Sequence, residues 1–265
     1  STIKPFLAAA ALEEHLITPS TTIFSTGGIT VGPWRFPDWK PGGHGPTTAT
    51  KALAESVNTF FYAISGGYEK QAGLGVDTIA TYLRRFGWGA ATGVDLPSEA
   101  AGFLPSPAWK EKTKHASWYI GDTYHLGIGQ GDVLVTPLQL SVATSVIATQ
   151  GWRPQPSLVK TTPVKGKRLA LSGLSVVREG MRAAVTDGSA RALSDLPIAL
   201  AGKTGTAQVG GTAEEETHAW FTSFGPVEQP RYVVTVLLEK GGAGDRDAVP
   251  VAKAIWKWLL EHDRL

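Results

Sequence analysis

The sequence predicts an α+β fold in which helices pack against an antiparallel sheet. Helical periodicity covers most of residues 1–195, whereas residues 196–265 carry three strand-like segments followed by one more helix. Short connections between these strands indicate an antiparallel meander. A chain of 265 residues with 42% hydrophobic content can also bury a large core. Because the helical segments come before the antiparallel strands in the chain, we expect the helices to pack on one antiparallel sheet.

Six helices are predicted before the sheet, from apolar residues that recur three and four positions apart. The first should bury one apolar face and stop near residue 18. Thr136 is a suitable N-cap because Pro137 follows it at the first helical position, and Ser172 is the expected cap of the last of the six. The predicted ranges are 3–16, 49–66, 76–86, 107–114, 136–151 and 173–185.

The remaining segments are assigned from glycine, proline and β-branched residues. Frequent Gly and Pro predict a loop over 19–47, and 88–135 should be irregular outside its short helix. The valines and leucines of 233–238 predict a strand buried on both faces. In the last helix, Val251, Ile255, Trp258 and Leu259 are expected to be packed. The predicted strands are 200–209, 218–225 and 231–239, with a Gly- and Glu-rich turn after the first, and the last helix covers 248–261.

Composition excludes several classes of function. A net charge of +2 without a cluster of basic residues gives no indication of a positively charged surface for binding nucleic acid. The chain has no cysteine, so disulfides, thiolate zinc sites and cysteine nucleophiles are excluded. Its longest apolar run, 5–12, is far shorter than the ~20 residues of a membrane-spanning helix.

The first of three candidate motifs pairs Ser1 with Lys4 in S-x-x-K spacing at a predicted helix start. Residues three apart share a helix face, so the Lys4 amine can lie beside the Ser1 hydroxyl. The amine can take the serine proton only if burial or a neighbouring cation lowers its pKa. Taken alone, this spacing arises often by chance, and an exposed helix start is the simpler interpretation.

The second motif is Ser56 and Asn58 in S-x-N spacing. A serine can relay a proton, and an asparagine offers both a donor and an acceptor to a substrate amide. Alone, the pair is equally typical of a solvated helix face.

The third motif is Lys203-Thr204-Gly205-Thr206 on a predicted strand. Gly205 would let a substrate approach the strand closely. The lysine and the two threonine hydroxyls would seat a carboxylate. The alternative is a Thr-rich edge strand with a solvated lysine, and this motif alone does not decide between the two.

Together, in the chain order S-x-x-K, S-x-N and K-T-G, these are the motifs of penicillin-binding proteins and serine β-lactamases. Nearly the whole chain resembles the penicillin-binding protein transpeptidase domain, and most of all its class B, elongation-type branch in the rod-shape system. Further segments carry this resemblance: Asp38-Trp39-Lys40, Gly43-His44-Gly45, Asn58-Thr59-Phe60-Phe61-Tyr62, Trp118-Tyr119-Ile120-Gly121-Asp122, Gly127-Ile128-Gly129-Gln130-Gly131, Thr136-Pro137 and Ala219-Trp220-Phe221.

The resemblance implies a penicillin-binding protein/serine β-lactamase-like fold and a single transpeptidase domain over 1–265. It also implies a peptidoglycan D,D-transpeptidase that cross-links stem peptides through a serine acyl-enzyme, is inhibited by β-lactams and needs no cofactor. Ser1 would be the nucleophile, Lys4 the base, Ser56 the proton shuttle and Asn58 the amide clamp. Lys203, Thr204, Gly205 and Thr206 would form the carboxylate seat, and the backbone N–H groups of Ser1 and Thr206 the oxyanion hole. The family also breaks the helix at the S-x-N motif, contrary to the periodicity over 49–66.

Two features depart from the family pattern. The family has a Pro-Gly step, a helix and two sheet strands before the nucleophile, and those strands pair beside 232–239. We therefore expect either a piece excised or clipped from a longer chain or a partner segment elsewhere that supplies them. Some elongation-type members bind zinc near the site through two Asp, a His and a Cys. Asp38 and His44 match two of these positions, but the others are Ser25 and Val57, and two ligands cannot close a structural zinc site. We predict no metal, with Asp38 and His44 bracing the loop over the cleft.

Competing functions share part of the evidence. A serine β-lactamase or β-lactam sensor has the same three motifs, but a class A enzyme also needs a deacylating Glu, and Glu99 and Glu111 lack its expected surroundings. A non-catalytic scaffold fragment is the second alternative. An N-terminal-nucleophile hydrolase would explain neither Lys4 nor the K-T-G strand. Family partners would be a membrane glycosyltransferase and rod-system proteins, and the location extracytoplasmic, on the periplasmic side of the inner membrane, with the anchor outside this sequence.

Overall fold

The computed structural model of the protein describes residues 1–160, 164–209 and 216–262. Its α-helices, α1 to α9, are Lys4–Glu13, Ala49–Ala54, Asn58–Gly66, Gly75–Phe86, Pro107–Lys114, Ile120–Gly127, Pro137–Ala148, Leu174–Thr186 and Val249–His262. Its strands, β1 to β9, are Ile23–Ser25, Gly28–Val31, Trp34–Pro37, Gly45–Thr47, Trp152–Pro154, Gly166–Arg168, Ala201–Val209, Glu216–Gly225 and Tyr232–Leu238. The helices and the antiparallel three-stranded sheet β7-β8-β9 confirm the predicted α+β class.

Helix α1 is the centre of the helical part. It is buried on every side from Lys4 to Leu12, so the prediction of one apolar face was wrong. Four consecutive alanines, 8–11, explain the difference, because small side chains let α3, α4 and α8 approach all round. The helix ends at Glu13, earlier than predicted, and His15 takes a left-handed conformation with φ 55°.

The predicted helix 49–66 is broken in two, as the family resemblance implied. Helix α2 ends at Ala54 and α3 begins at Asn58. Between them Ser56 has a φ of 56° and Val57 is extended, so the chain turns at the S-x-N motif. Periodicity continued across the break because Leu53, Phe60 and Phe61 are all buried in the same core.

Several elements were missed in segments to which no helix or strand was assigned. Residues 19–47 form two antiparallel pairs, β1 with β4 and β2 with β3. Residues 120–127 form α6, and β5 pairs with β6 in a further short hairpin. Strands of three or four residues are too short to show the alternation on which a sequence assignment depends.

Helix caps were predicted with mixed success. Thr136 accepts from the Gln139 backbone N–H, and the Gln139 side chain accepts from that of Thr136, a complete capping box at α7. The prediction for Ser172 was wrong, since Gly173 is the N-cap of α8. Ser172 donates its hydroxyl to the Glu13 carboxylate at 2.6 Å, a stronger, charged acceptor on α1.

The sheet packs between α7, α8 and α9 and carries the third motif on β7. The three predicted strands are confirmed, and 210–215 of the predicted turn lie outside the described residues. Strand β9 is not buried on both faces: Val234 and Val236 are buried, whereas their neighbours are only partly so. Within the described ranges β9 pairs only with β8, which makes it an edge strand.

Helix α9 presents a different stripe to the sheet from the one predicted. Val249, Ala252 and Trp256 are fully buried, and the Trp256 indole donates to the Ser223 hydroxyl at 2.9 Å. The prediction that Val251, Ile255 and Trp258 are packed was wrong, because these side chains are 39%, 39% and 57% exposed. The sequence offers two apolar stripes on this helix, and only tertiary contacts select one. Across the described ranges, every helix is too short or too polar to traverse a lipid bilayer.

Candidate active site

The three motifs come together around one cleft of about 640 Å³. Ser1 lines it from the start of α1, and Ser56 and Asn58 from the turn between α2 and α3. From β7 the lining residues are Thr204, Gly205 and Thr206. Lys4 and Lys203 are fully buried and do not line the cleft, but both reach the Ser56 hydroxyl.

Lys4 lies at the junction of α1 and the S-x-N turn. Its Nζ donates to Asn58 Oδ1 at 2.6 Å, to the Ser56 carbonyl at 2.9 Å and to Ser56 Oγ at 3.2 Å. An ammonium has three protons, so these contacts satisfy its charged form. The neutral amine has two protons and a lone pair, so one contact must then reverse, and of the three acceptors only the Ser56 hydroxyl and the Asn58 amide have protons to donate.

Lys203 approaches the same hydroxyl from the sheet. Its Nζ donates to Ser56 Oγ at 2.8 Å and to the Thr204 carbonyl at 2.9 Å. Ser56 therefore joins two amines that the chain separates by almost two hundred residues. A substrate carboxylate in the cleft would contact Thr204 and Thr206 directly. Lys203 is buried behind these residues and would influence the site through its hydrogen bond to Ser56.

Burial sets the protonation of both amines. It lowers the pKa of Lys4 from 10.5 to about 7, although the nearby Asp38 carboxylate raises that pKa in opposition. Burial, and then the positive charge of Lys4, lowers the pKa of Lys203 well below its ordinary value. Two amines on one hydroxyl disfavour each other's charge, so a neutral lysine is available near neutral pH.

The β7 side of the cleft is fixed by contacts to neighbouring segments. Thr204 Oγ1 lies 2.7 Å from Ser189 Oγ, just beyond the end of α8, and Thr206 Oγ1 accepts from the Gly244 N–H at 3.1 Å. A Cβ on Gly205 would lie 3.0 Å from the Thr2 methyl group. The glycine therefore lets β7 approach the residue beside the nucleophile.

The opposite wall is built by the loop before α2. Trp39 donates its indole N–H to the Glu55 carbonyl at 3.0 Å and packs edge-on to His44, with ring centroids 5.2 Å apart. His44 Nδ1 lies 2.6 Å from Glu55 Oε2. The Asp38 carboxylate accepts from the N–H groups of Asn58 and Thr59 at the start of α3. This is the loop that Asp38 and His44 were expected to brace.

Several lining residues carried no motif in the sequence. Ser189 was missed, although Asp187-Gly188-Ser189 directly after a helix is a recognisable turn signal. Glu55, beside Ser56, was also overlooked. The cleft further includes Trp39, Lys40, Ile128, Gln130 and Asp245.

The residues present do not fit the zinc site of some elongation-type members. His44 Nε2 is 3.8 Å from Asp38 Oδ1, and Ser25 donates its hydroxyl to Asp38 at 3.4 Å. The fourth position, Val57, is a buried hydrocarbon without a donor atom. Within the described residues, no group of three or more His, Cys, Asp or Glu could hold a metal ion.

Comparison with known proteins gives consistent matches over the whole chain. Residues 1–257 match the family model for the penicillin-binding protein transpeptidase domain. The chain is 35% identical to the peptidoglycan D,D-transpeptidase MrdA of Haemophilus influenzae over 294 residues, which cover 99% of this chain and 44% of that protein.

Two solved structures are similar at the same level of identity. The penicillin-binding protein PBP2 of Helicobacter pylori, in complex with MreC, superposes with a TM-score of 0.90 at 35% identity, covering 100% of this chain and 49% of that one. A structure on the coordination of polymerization and crosslinking by a peptidoglycan synthase complex gives 0.85 at 35% identity, covering 96% and 44%. The chain therefore spans less than half the length of these relatives.

Proposed function

Since the chain belongs to the penicillin-binding protein transpeptidase family, in its class B, elongation-type branch, we propose that it acts as a peptidoglycan D,D-transpeptidase. The observation that carries the proposal is the pair of buried lysines on the Ser56 hydroxyl, next to Ser1 in an open cleft. This arrangement provides a base for a serine nucleophile without a histidine or a metal. We further propose that the domain extends over 1–265, with 1–195 mainly helical.

In the first half-reaction the Ser1 oxygen attacks the penultimate D-alanine carbonyl of a stem peptide. Its proton passes to neutral Lys4, directly or through Ser56, and the N–H groups of Ser1 and Thr206 stabilise the oxyanion. Collapse breaks the peptide bond, and the departing D-alanine amine takes the proton from Lys4. An ester between Ser1 and the peptide remains.

In the second half-reaction an amine of a neighbouring stem peptide attacks this ester. A new amide forms, the Ser1–acyl bond breaks, and the proton of the attacking amine returns to the serine oxygen. The atoms balance without a cofactor. Asn58 would bind the substrate amide, and Thr204 and Thr206 would hold the terminal carboxylate of a peptide or a β-lactam, with Lys203 behind them, bonded to the Ser56 hydroxyl and the Thr204 carbonyl.

A class A β-lactamase would need a Glu between the S-x-N and K-T-G motifs that activates water against the acyl-enzyme. Neither Glu99 nor Glu111 lines the cleft. Glu99 instead accepts the N–H groups of Thr92 and Gly93 at 2.7 and 3.0 Å, as a loop-shaping residue does. The site therefore favours a slowly deacylating transpeptidase over a hydrolase.

The relatives support a proposal about partners, and the family resemblance supports one about location. The H. pylori protein forms a complex with MreC, and the synthase-complex structure joins polymerization to crosslinking. We infer that the natural protein works with rod-system proteins and a membrane glycosyltransferase on the periplasmic side of the inner membrane. Regions outside this sequence would supply the anchor and most of these contacts.

Penicillin labelling tests the function. The protein, expressed with any segment that precedes residue 1 in its natural chain, is treated with penicillin and analysed by intact and peptide mass spectrometry. We expect one adduct, on the Ser1 peptide, that persists for many minutes. An adduct elsewhere, or one that persists in Ser1→Ala, contradicts the assignment. Rapid loss of the adduct by hydrolysis indicates a β-lactamase.

A further inference from the structure

Asp38 lies outside the three motifs, yet it is the most heavily bonded carboxylate near the cleft. Its side chain is fully buried. Oδ1 accepts from the Asn58 N–H at 3.0 Å and the Trp39 N–H at 2.9 Å. Oδ2 accepts from the Thr59 N–H at 2.9 Å, the Thr59 hydroxyl at 2.8 Å and the Ser25 hydroxyl at 3.4 Å. Both oxygens are therefore fully engaged.

These bonds fix the start of α3 from a distant loop. Val57, the N-cap of α3, has no side-chain oxygen to bond the first N–H groups of the helix. Asp38 supplies the acceptors from twenty residues earlier in the chain. The preceding Ser56 has a φ of 56°, a conformation that needs outside support in a residue other than glycine.

The same turn carries most of the polar groups that hold Lys4. Asn58, whose N–H is bonded to Asp38, accepts Lys4 Nζ through its side chain at 2.6 Å. The Ser56 carbonyl and hydroxyl are the other two acceptors of Lys4. A shift of the start of α3 by a few tenths of an ångström would lengthen all three bonds together.

From these contacts we infer that Asp38 is a positioning residue for acyl transfer, which holds the Ser56–Asn58 turn in place for Lys4 and puts a negative charge behind that turn. This inference rests on the proposed function and adds a residue to it. It also gives a physical account of the site without zinc: hydrogen bonds to the backbone of α3 take up both oxygens of Asp38, at a position that matches a metal ligand in some relatives.

Charge and geometry make separable contributions here. The carboxylate of Asp38 raises the pKa of Lys4 against the larger effect of burial. The other charged or titratable groups facing this region include Lys203 on β7 and His44, whose Nε2 lies 3.8 Å from Asp38 Oδ1 and whose Nδ1 lies 2.6 Å from Glu55 Oε2. Tyr62 on α3 also faces it, and burial and then the Asp38 charge raise the pKa of its hydroxyl. Removing the Asp38 charge alone should lower the pKa of Lys4 further. Moving the carboxylate should instead change its hydrogen bonds to the start of α3 while keeping a negative charge near Lys4.

The test compares acylation rates with a fluorescent penicillin across pH for four purified proteins. Asp38→Asn removes the charge and places an NH₂ group where a carboxylate oxygen accepted two hydrogen bonds. We expect acylation to be at least tenfold slower, and the midpoint of the pH–rate profile to lie at lower pH. Asp38→Glu keeps the charge but moves it, so the rate should fall about as much without that acid shift. Ser25→Ala removes the longest bond to Asp38 and a 3.2 Å bond to the Thr59 hydroxyl, but none of the bonds from Asp38 to the start of α3, and should acylate within about twofold of wild type.

The outcomes separate the two proposals. Wild type that is not acylated contradicts the proposed function itself. If wild type is acylated and folded Asp38→Asn matches it within twofold, with the same midpoint, the positioning role is refuted while the proposed function stands. If Asp38→Asn does not fold, Asp38→Glu decides: a slower rate at an unchanged midpoint supports the inference, and an unchanged rate overturns it.

Discussion

The protonation of Lys4 should control the rate at which Ser1 is acylated. Lys4 is fully buried, and this burial lowers its pKa from 10.5 to about 7. Because the folded pKa is depressed, the amine is protonated and inactive at low pH and becomes a base as the pH rises through about 7. Acylation should therefore rise with pH and then level off, at pH values where an exposed lysine would still be charged.

The magnitude follows from the neutral fraction. With a pKa of about 7, that fraction rises from about a tenth near pH 6 to about nine tenths near pH 8, so the rate should increase about tenfold and then change by less than twofold up to pH 9. With an unshifted lysine near ~10.4, the same step from about pH 6 to pH 8 gives about a hundredfold increase, and the rate continues to climb about tenfold to pH 9.

The assay is second-order acylation by a fluorescent penicillin, measured by quenched time points from about pH 5.5 to 9 at constant ionic strength. Lys4→Arg is the matched variant, because arginine keeps the charge and cannot act as a base. We expect it to lose several orders of magnitude, nearly as much as Lys4→Ala. If Lys4→Arg acylates within about tenfold of wild type, a loss of only ~1.4 kcal/mol of transition-state stabilisation, then Lys4 only orients Ser1, and Ser56 receives the proton.

The remaining predictions concern single contacts. Lys203→Ala should slow β-lactam acylation by a factor that corresponds to roughly 1–3 kcal/mol, because the Ser56 hydroxyl and the Thr204 carbonyl lose a buried hydrogen-bond donor; an unchanged rate at an unchanged melting temperature argues against a role of Lys203 in the site. Ser189→Ala should weaken the non-covalent β-lactam complex by about 0.5–1.5 kcal/mol, since Thr204 loses its hydroxyl partner, and Ser189→Thr should restore it. Phe6→Ala, which removes ring contacts to Phe86, should lower the free energy of unfolding by about 3–5 kcal/mol in denaturant titrations. Incubation with EDTA should leave acylation unchanged, and a loss that added zinc reverses would contradict the prediction of no metal.

The sequence predicts the long elements of this fold well and the short ones poorly. The strands β7 to β9 and the helices α4 and α7 carry clear periodicity and explicit caps or stops. The four strands within 19–47 do not, because strands of three or four residues are fixed by pairing with each other rather than by their own pattern. The packed face of α9 was predicted wrongly for a related reason: two stripes were available, and the sheet selected the one containing Trp256.

The site shows the same division between local signals and long-range contacts. Motif residues could be found because their spacing is short and their chemistry is recognisable. Ser189 could not be linked to Thr204, nor Asp38 to Asn58, because these contacts join segments fifteen and twenty residues apart without any periodic signal. The expected role of Lys203 also changed in detail, since its side chain is buried beneath the cleft and acts through Ser56.

The burial of Lys4 and Lys203 is best explained by catalysis rather than by stability. Neither forms an ion pair with any described residue, although both side chains are fully buried. An unpaired buried ammonium costs several kcal/mol, and a hydrocarbon of similar size would remove that cost. The proposed acyl transfer gains from the same arrangement, because desolvation makes a neutral amine available beside a serine near neutral pH. The Ser56 hydroxyl, bonded to both amines, gives the proton a path between them, and this explains why the break between α2 and α3 lies where it does.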